Sequence, residues 1–482
     1  MIDALPATGV SAAQVLAELR ELRAADLPTH GGRLFAYVYD PAVPGLDELA
    51  HAAYALSAHV NGLDPTAFPS LLAMENALVG AAARLLGGTS ETVGTVTSGG
   101  TESLLLAVKA ARDARPELDR PRLVVPSTAH AAFAKAAHYL RVELDVVPVR
   151  ADLTADPAGM AAAIRYETVL VVASAPSYAH GVIDPVAEIA EAAARLDVRC
   201  HVDACFGGWV LPYLRRLGAE LPAFDLSVPG VTSISVDLHK YAYAPKGVSV
   251  LLHRDQALRL PQYFAYADWP GYTMINPGVS STRSGGPIAA ALAVLRHLGD
   301  AGYLDLARET REAVVTLAAA VQATDGVRLY APTETTVVCL TTDEGVDPFV
   351  LADELAARGW HTQPQMAYGK IPPTIHLTVT AAVRPTTPAF ASDLADAVAA
   401  TRARGPVELP ADLLATAGAL TPSAVTPQLV AGLAAGLGLT DGAVGPMATV
   451  NTLLNVAPPP LREALLTGFL SLLQRPPSQG VL

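Results

Sequence analysis

Four features of this chain could act together on an amine or a carbonyl compound. Lys240 stands inside SISVDLHKYAYAPKGVSVLLHR (233 to 254), where one apolar strand pattern runs in and a second, GVSVLL, runs out after Pro245. A lysine between two buried strands is costly unless its charge is paired or its amine does chemistry, and that chemistry is Schiff-base formation. The plainer alternative is a strand-end lysine whose amine reaches solvent. Asp203, in HVDAC (201 to 205), is a carboxylate at the end of an otherwise apolar strand, expensive there unless something positive meets it. TSGGTES (97 to 103) sets Gly99 and Gly100 where a strand gives way to a helix. The free N–H groups of a helix start, with the hydroxyls of Ser98, Thr101 and Ser103, can cradle a phosphate. A double glycine also serves plain turns, and this one lacks the Lys-Ser/Thr of a nucleotide P-loop and the spacing of a dinucleotide fingerprint. His130 opens the next helix, where an imidazole can lie on an aromatic ring or be merely a polar helix-start residue.

Pyridoxal 5'-phosphate (PLP) would use all four. The cradle would take its phosphate, His130 its ring face, Asp203 its protonated ring nitrogen and Lys240 its aldehyde. Asp203 and Lys240 are 37 residues apart, which leaves room for a crossover between parallel strands. Both would then stand at the carboxyl edge of one sheet, where open α/β sheets bind ligands.

The elements that must position them read as follows. A short amphipathic helix (12 to 25) leads to THGGRLFAYVYDP, a strand-like segment with Tyr37 and Tyr39 on one face. Helices are expected over 45 to 60 and from Pro69 to Gly87. Strand candidates follow at 122–127, 142–149, 167–176, 198–206 and 233–237, with helices between several of them, which predicts a largely parallel sheet covered on both faces. Residues 287–321 read as one long helix, kinked near Gly299, leading to an α+β unit with strands at 327–331, 335–341, 360–365 and 374–380 and helices at 347–358 and 385–401. The tail beyond has helical stretches near 424–436 and 460–474. The expected division is an N-terminal segment (1–60), a large domain (61–315), a small domain (316–402) and a helical tail (403–482).

At 482 residues, more than one domain is expected. The chain is 51% hydrophobic and 16% charged, with mean hydropathy +0.33, which implies a large core and a subunit interface. A formal net charge of -13 gives no reason to expect nucleic acid or acidic membranes as partners. No stretch reaches the roughly 20 apolar residues that span a bilayer, and no secretory signal is visible. Cys200, Cys205 and Cys339 form neither a disulfide framework nor a metal spacing, so a cytoplasmic setting is expected.

TSGGTES, His130, APSYAHGVIDP (175 to 185), HVDACFGGW (201 to 209) and DLHKYAYAPKG (237 to 247) together resemble the PLP-dependent sphingosine-1-phosphate lyases, within the fold-type-I amino-acid decarboxylase superfamily. YFAYADWPGYTMINPGVSSTRSGG (263 to 286) and IPPTIHLTVT (371 to 380) extend the likeness to roughly residues 30 to 380. The resemblance implies an α/β fold with a large, mostly parallel-sheet domain and a smaller α+β domain, PLP as cofactor, and a homodimer with a shared active site. It carries the lysine to Lys240, the ring-nitrogen acid to Asp203, the stacking imidazole to His130 and the phosphate cradle to Ser98, Gly99, Gly100 and Thr101. His239 falls beside the cofactor, and the partner-subunit contact falls near Ser281.

At the substrate end the likeness is partial. In the lyases an aromatic near the N-terminus, a histidine and the lysine of an Ala-Pro-Lys-Gly turn surround the substrate's phosphate. Tyr39 matches the aromatic and Lys246 the lysine, but Asp64 stands at the histidine position. A carboxylate beside a phosphate is repulsive in a low-dielectric pocket, so a non-phosphorylated substrate is expected unless Asp64 is only a turn residue. Arg283 is a candidate anion contact or a structural residue of the interface. The reaction implied is retro-aldol cleavage of a β-hydroxy amine, with Lys240, Tyr39 and His239 as candidates for proton transfer. An L-amino-acid decarboxylase is the alternative. A non-catalytic scaffold is argued against by the presence of both Lys240 and Asp203.

Overall fold

In the computed structural model, residues 5–409, 420–436 and 446–474 are described. Seven strands form the main sheet: β1 (Val93–Thr97), β2 (Arg122–Pro126), β3 (Glu143–Val147), β4 (Thr168–Ser174), β5 (Arg199–Asp203), β6 (Val231–Asp237) and β7 (Ser249–His253), in the order β1-β7-β6-β5-β4-β2-β3. The pairs from β3 across to β6 are parallel, while β7 is antiparallel to both β6 and β1. Six strands therefore point one way and β7 alone is reversed. Every residue of β4 and β7 is buried. That double-sided burial explains why these strands read as continuous apolar runs rather than as an alternation.

The chain leaves β5 and β6 at the same sheet edge, which places Asp203 and Asp237 there, with Lys240 just beyond. The helix Gly100–Asp113 starts right after β1 and packs Leu104 and Val108 against Leu123 and Val125 of β2. The long helix Gly286–Ala323 breaks at Gly299 (φ 59°, ψ -178°), a left-handed backbone that suits glycine, as expected. It leads to a second, antiparallel sheet in the order β10-β11-β13-β12, built of β10 (Val327–Leu329), β11 (Val337–Thr342), β12 (Gln363–Gln365) and β13 (Thr374–Thr378). Between the sheets β8 (Phe264–Tyr266) and β9 (Met274–Asn276) pair as an exposed ribbon.

The N-terminal aromatic segment departs from expectation. Leu34 bridges to His361, and buried Phe35 packs among Trp360 and Phe390, ring pairs each worth about 0.5–1.5 kcal/mol beyond their area. No strand follows: Tyr37 adopts a left-handed backbone (φ 65°) that sends its ring out, 64% exposed, while Tyr39 turns inward. The two tyrosines do not share a face. The tail contributes Pro427–Gly436, Ala448–Val456 and Pro459–Leu473, of which Ala448–Val456 had no counterpart in the expected elements. No helix among the described residues is long and apolar enough to cross a membrane.

Candidate functional site

At the carboxyl edge of β4, β5 and β6 lies a cavity of about 430 Å³, lined by Ser98 to Glu102, His130, Ser174, Tyr178, Asp203, Phe206, Asp237, His239, Lys240 and Lys246. Ten of the thirteen expected site residues are thereby accounted for at or beside one space once Tyr39 is added through its contact with Lys246. Asp64, Ser281 and Arg283 do not line it.

Lys240 follows β6 by three residues, and its Nζ lies 3.0 Å from Oδ2 of Asp237, the buried last residue of that strand. Burial works against the lysine's charge, but Asp237 outweighs it and raises the pKa above the ordinary lysine value. Burial likewise opposes the charge of Asp237, and Lys240 with His239 overcomes it, holding the carboxyl below the usual range. Both shifts describe one buried ion pair. Asp237 was absent from the expected site, although the signal was the one that marked Asp203: a carboxylate closing an apolar strand.

Asp203 closes β5 with one oxygen accepting the Cys205 amide at 3.1 Å. Nδ1 of His239 donates to the Val248 carbonyl at 2.8 Å, which fixes the ring. Burial lowers the imidazole's pKa despite the nearby Asp237 carboxylate, so the ring is neutral at neutral pH. Tyr39 packs edge-on against Tyr241 and Phe206, and burial holds its phenol well above the ordinary value. The Lys246 amine lies 5.1 Å from the Tyr39 ring centre, a cation–π contact. Its side chain is open to solvent at the cavity rim yet flanked by protein; desolvation and then the Lys240 charge lower its pKa to about 8.

At the glycine turn, the amide and hydroxyl of Ser98 both donate to Glu102 Oε2, at 2.6 and 2.7 Å, so these donors are already engaged. Glu102 sits at the third helical position, where an acid reaching back is a capping signal that sequence reading could have used. Ser103 turns inward to Thr97 and Ser249. The amides of the first helical turn remain without intrahelical acceptors. His130 precedes the helix Ala132–Leu140, its Nδ1 accepting the Ala132 amide at 3.2 Å and its ring lining the cavity.

Two of the outlying residues are structurally engaged. Asp64 is exposed, and its Oδ1 accepts from the Thr66 amide and hydroxyl at 2.8 and 2.6 Å. Those bonds, the hydroxyl first, lower its pKa. These contacts are those of a turn residue. Arg283 binds Glu75 at 2.6 Å and the Val96 carbonyl at 3.0 Å, both within its own chain. Ser281 is half-buried in the segment after β9.

The residues present fit PLP. A Cβ on Gly100 would stand 2.9 Å from both Asp237 Oδ2 and Cys205 Sγ, so the helix start meets the lysine's ion pair closely only as glycine. Ser174 Oγ, buried on the cavity wall, has no hydrogen-bond partner. Among the described residues no His/Cys/Asp/Glu cluster could hold a metal.

A family model described as pyridoxal-dependent decarboxylase conserved domain matches residues 29–342, and one described as pyridoxal-dependent enzyme, C-terminal putative HTH domain matches 411–472. The sphingosine-1-phosphate lyase of Dictyostelium discoideum is 39% identical over 355 residues, covering 73% of this chain and 66% of its own. That of Oryza sativa subsp. japonica is 35% identical over 415 residues, covering 84% and 76%. Among solved structures, a Burkholderia pseudomallei sphingosine-1-phosphate lyase superposes with TM-score 0.79 at 35% identity, covering 84% of this chain and 94% of that one. A Lactobacillus brevis glutamate decarboxylase, at 20% identity and TM-score 0.73, shares the fold. The chain spans about two thirds of the length of the Dictyostelium relative. It is a PLP-dependent enzyme of fold-type I, and it belongs to the sphingosine-1-phosphate lyase family.

Proposed function

We propose that this enzyme cleaves the Cα–Cβ bond of a β-hydroxy amine that carries an anionic group, by a retro-aldol reaction releasing an aldehyde. The observation that carries the reading is the pairing of Lys240 with buried Asp237 across from Asp203, beside a second cation, Lys246, at the rim of the same cavity. When bound, PLP supplies the aldehyde carbon and the electron-withdrawing ring.

The chain's own groups divide the remaining work. The first-turn amides at Gly99 to Thr101 would hold the cofactor's phosphate, and His130 would stand beside its ring. Asp203 would keep a proton on the cofactor's ring nitrogen. Lys240, kept charged by Asp237, is poised to deliver a proton. Tyr39 keeps its phenolic proton, so it is suited to donating a hydrogen bond to a ligand rather than to acting as a base. Neutral His239 is the group whose protonation state suits accepting the hydroxyl proton. Lys246 makes no ion pair among the described residues and favours a phosphate or carboxylate near Tyr39. With Asp64 committed to its own turn, the charge argument against a phosphorylated substrate loses its footing within one protomer.

A homodimer with a shared site also belongs to this reading. It is supported by the exposed ribbon side chains Phe264, Tyr266, Trp269, Tyr272 and Ile275, and by the exposed leucines 16, 19 and 22 of the helix Ala12–Leu22. A cytoplasmic setting is part of the same proposal. The test is a panel of phosphorylated and free β-hydroxy amines and α-amino acids, with products identified. Aldehyde from the phosphorylated members is expected; carbon dioxide from amino acids, with no aldehyde, would replace this reading by the decarboxylase one.

A further inference from the structure

A second cavity, of about 320 Å³, adjoins the first and shares His130 and Tyr178 with it. Its outer wall is made by Met366, Tyr368 and Ile371, all from the connection between β12 and β13. This connection is a tight turn: Tyr368 and Ile371 exchange backbone hydrogen bonds of 3.0 and 2.9 Å. On its inner side Gln365 donates to the Ala179 carbonyl at 2.9 Å. On its outer side the Ala367 amide donates to Oδ1 of Asn455, at 2.8 Å, and Asn455 lies in the C-terminal helix Ala448–Val456, outside the residues matched by the decarboxylase model.

That helix is docked, not loosely appended. The carboxylate of Asp353 accepts the Met447 and Ala448 amides at 2.8 and 3.0 Å, capping the helix from another element. Ala448 is buried with Phe349 and Val350, and Met366 packs on the same cluster. Met366 thus faces the cavity on one side and the tail's anchorage on the other. A wall residue braced in this way transmits the tail's position to the space a ligand can occupy.

We propose that the C-terminal helix is a specificity element, with Asn455 a positioning residue that sets the outer wall of the second cavity. This cavity, walled by Ala129, Ala131, Met366, Tyr368 and Ile371, receives the apolar chain of the substrate, remote from its amine. Only the identity of that chain as part of a lyase substrate rests on the proposed function.

The test uses the PLP-loaded full chain and two probes, dodecylamine and ethylamine, with affinity read from the cofactor's visible absorbance, alongside backbone amide exchange. Losing one hydrogen bond in Asn455→Ala should speed exchange at residues 366–371 about tenfold and weaken dodecylamine by about fivefold. Ethylamine and PLP affinities should be unchanged, and Asn455→Asp, which keeps the acceptor, should restore both readouts. Met366→Ala widens the wall without removing that bond and should favour longer amines, a readout that stands even if Asn455→Ala fails to fold. Unchanged exchange, or equal weakening of both amines, overturns the proposal. Wild-type enzyme that binds both amines yet yields no aldehyde from any substrate would sink the lyase reading while leaving the tail's role standing.

Discussion

Asp237 and Asp64 are the same side chain put to opposite uses. Asp64 stands in water and spends an oxygen on the amide and hydroxyl of Thr66, so its charge shapes one turn and nothing beyond it. Asp237, 2% exposed at the end of β6, has no water to answer its charge, and it fixes the protonation of Lys240 instead. A carboxylate becomes a chemical group here because of where the sheet leaves it. The difference teaches that sequence position relative to a motif says less than position relative to the sheet's carboxyl edge.

The largest test of the buried side is Lys240→Ala, which should abolish the bound cofactor's visible absorbance and cut turnover by at least about 10³-fold. Asp237→Asn should follow. Breaking one side of a buried pair costs about 3–5 kcal/mol, read as a lowered denaturation midpoint, and it should lower the pKa of the Lys240 amine in an NMR titration of the cofactor-free enzyme. Retention of the wild-type titration would erase the distinction between the two aspartates. Gly100→Ala should cost about 1–3 kcal/mol through its contacts with Asp237 and Cys205, and weaken PLP binding measured by dialysis.

Lys246 sharpens the comparison from the rim. It is cationic below its pKa of about 8 and neutral above, so KM for a phosphorylated substrate should rise about tenfold per pH unit beyond that value. KM for the free analogue should stay flat. The smallest effect is expected of Asp64→Asn, which keeps the turn's acceptor: no change in melting temperature and none in the preference between phosphorylated and free substrates. A shift in that preference would bring Asp64 back to the pocket, through a partner subunit.

Much of this was legible in the residues. Apolar runs located β2 and β4 to β6 because those strands are largely buried on both faces, and Asp203 and Lys240 stood out because charge is costly at such places. Strand direction was not legible: GVSVLL reads alike in either sense, yet β7 runs against its neighbours. Tyr37 misled because alternation predicts a strand only when the backbone stays extended, and its left-handed conformation breaks the pattern. The engagement of Ser98 by Glu102 and of Arg283 by Glu75 depends on contacts between side chains that composition does not reveal. The helix Ala448–Val456 was missed because its contacts with Asp353 and Ala367 come from residues distant in sequence.

The reversed strand has a consequence for the order of assembly. Lys240 lies in the short connection between β6 and β7, a local pairing with little loop-closure entropy to overcome. The glycine turn arrives on the other side of β7 by way of β1, whose Val96 pairs with Val250 from 154 residues away. Cradle and lysine therefore meet only once that long closure is made. A small molecule that grips both binds the closed chain and not the open one, adding about 2.7 kcal/mol at a hundredfold excess over its Kd. A cofactor held by both would be, in this sense, a latch on the pairing of β1 with β7.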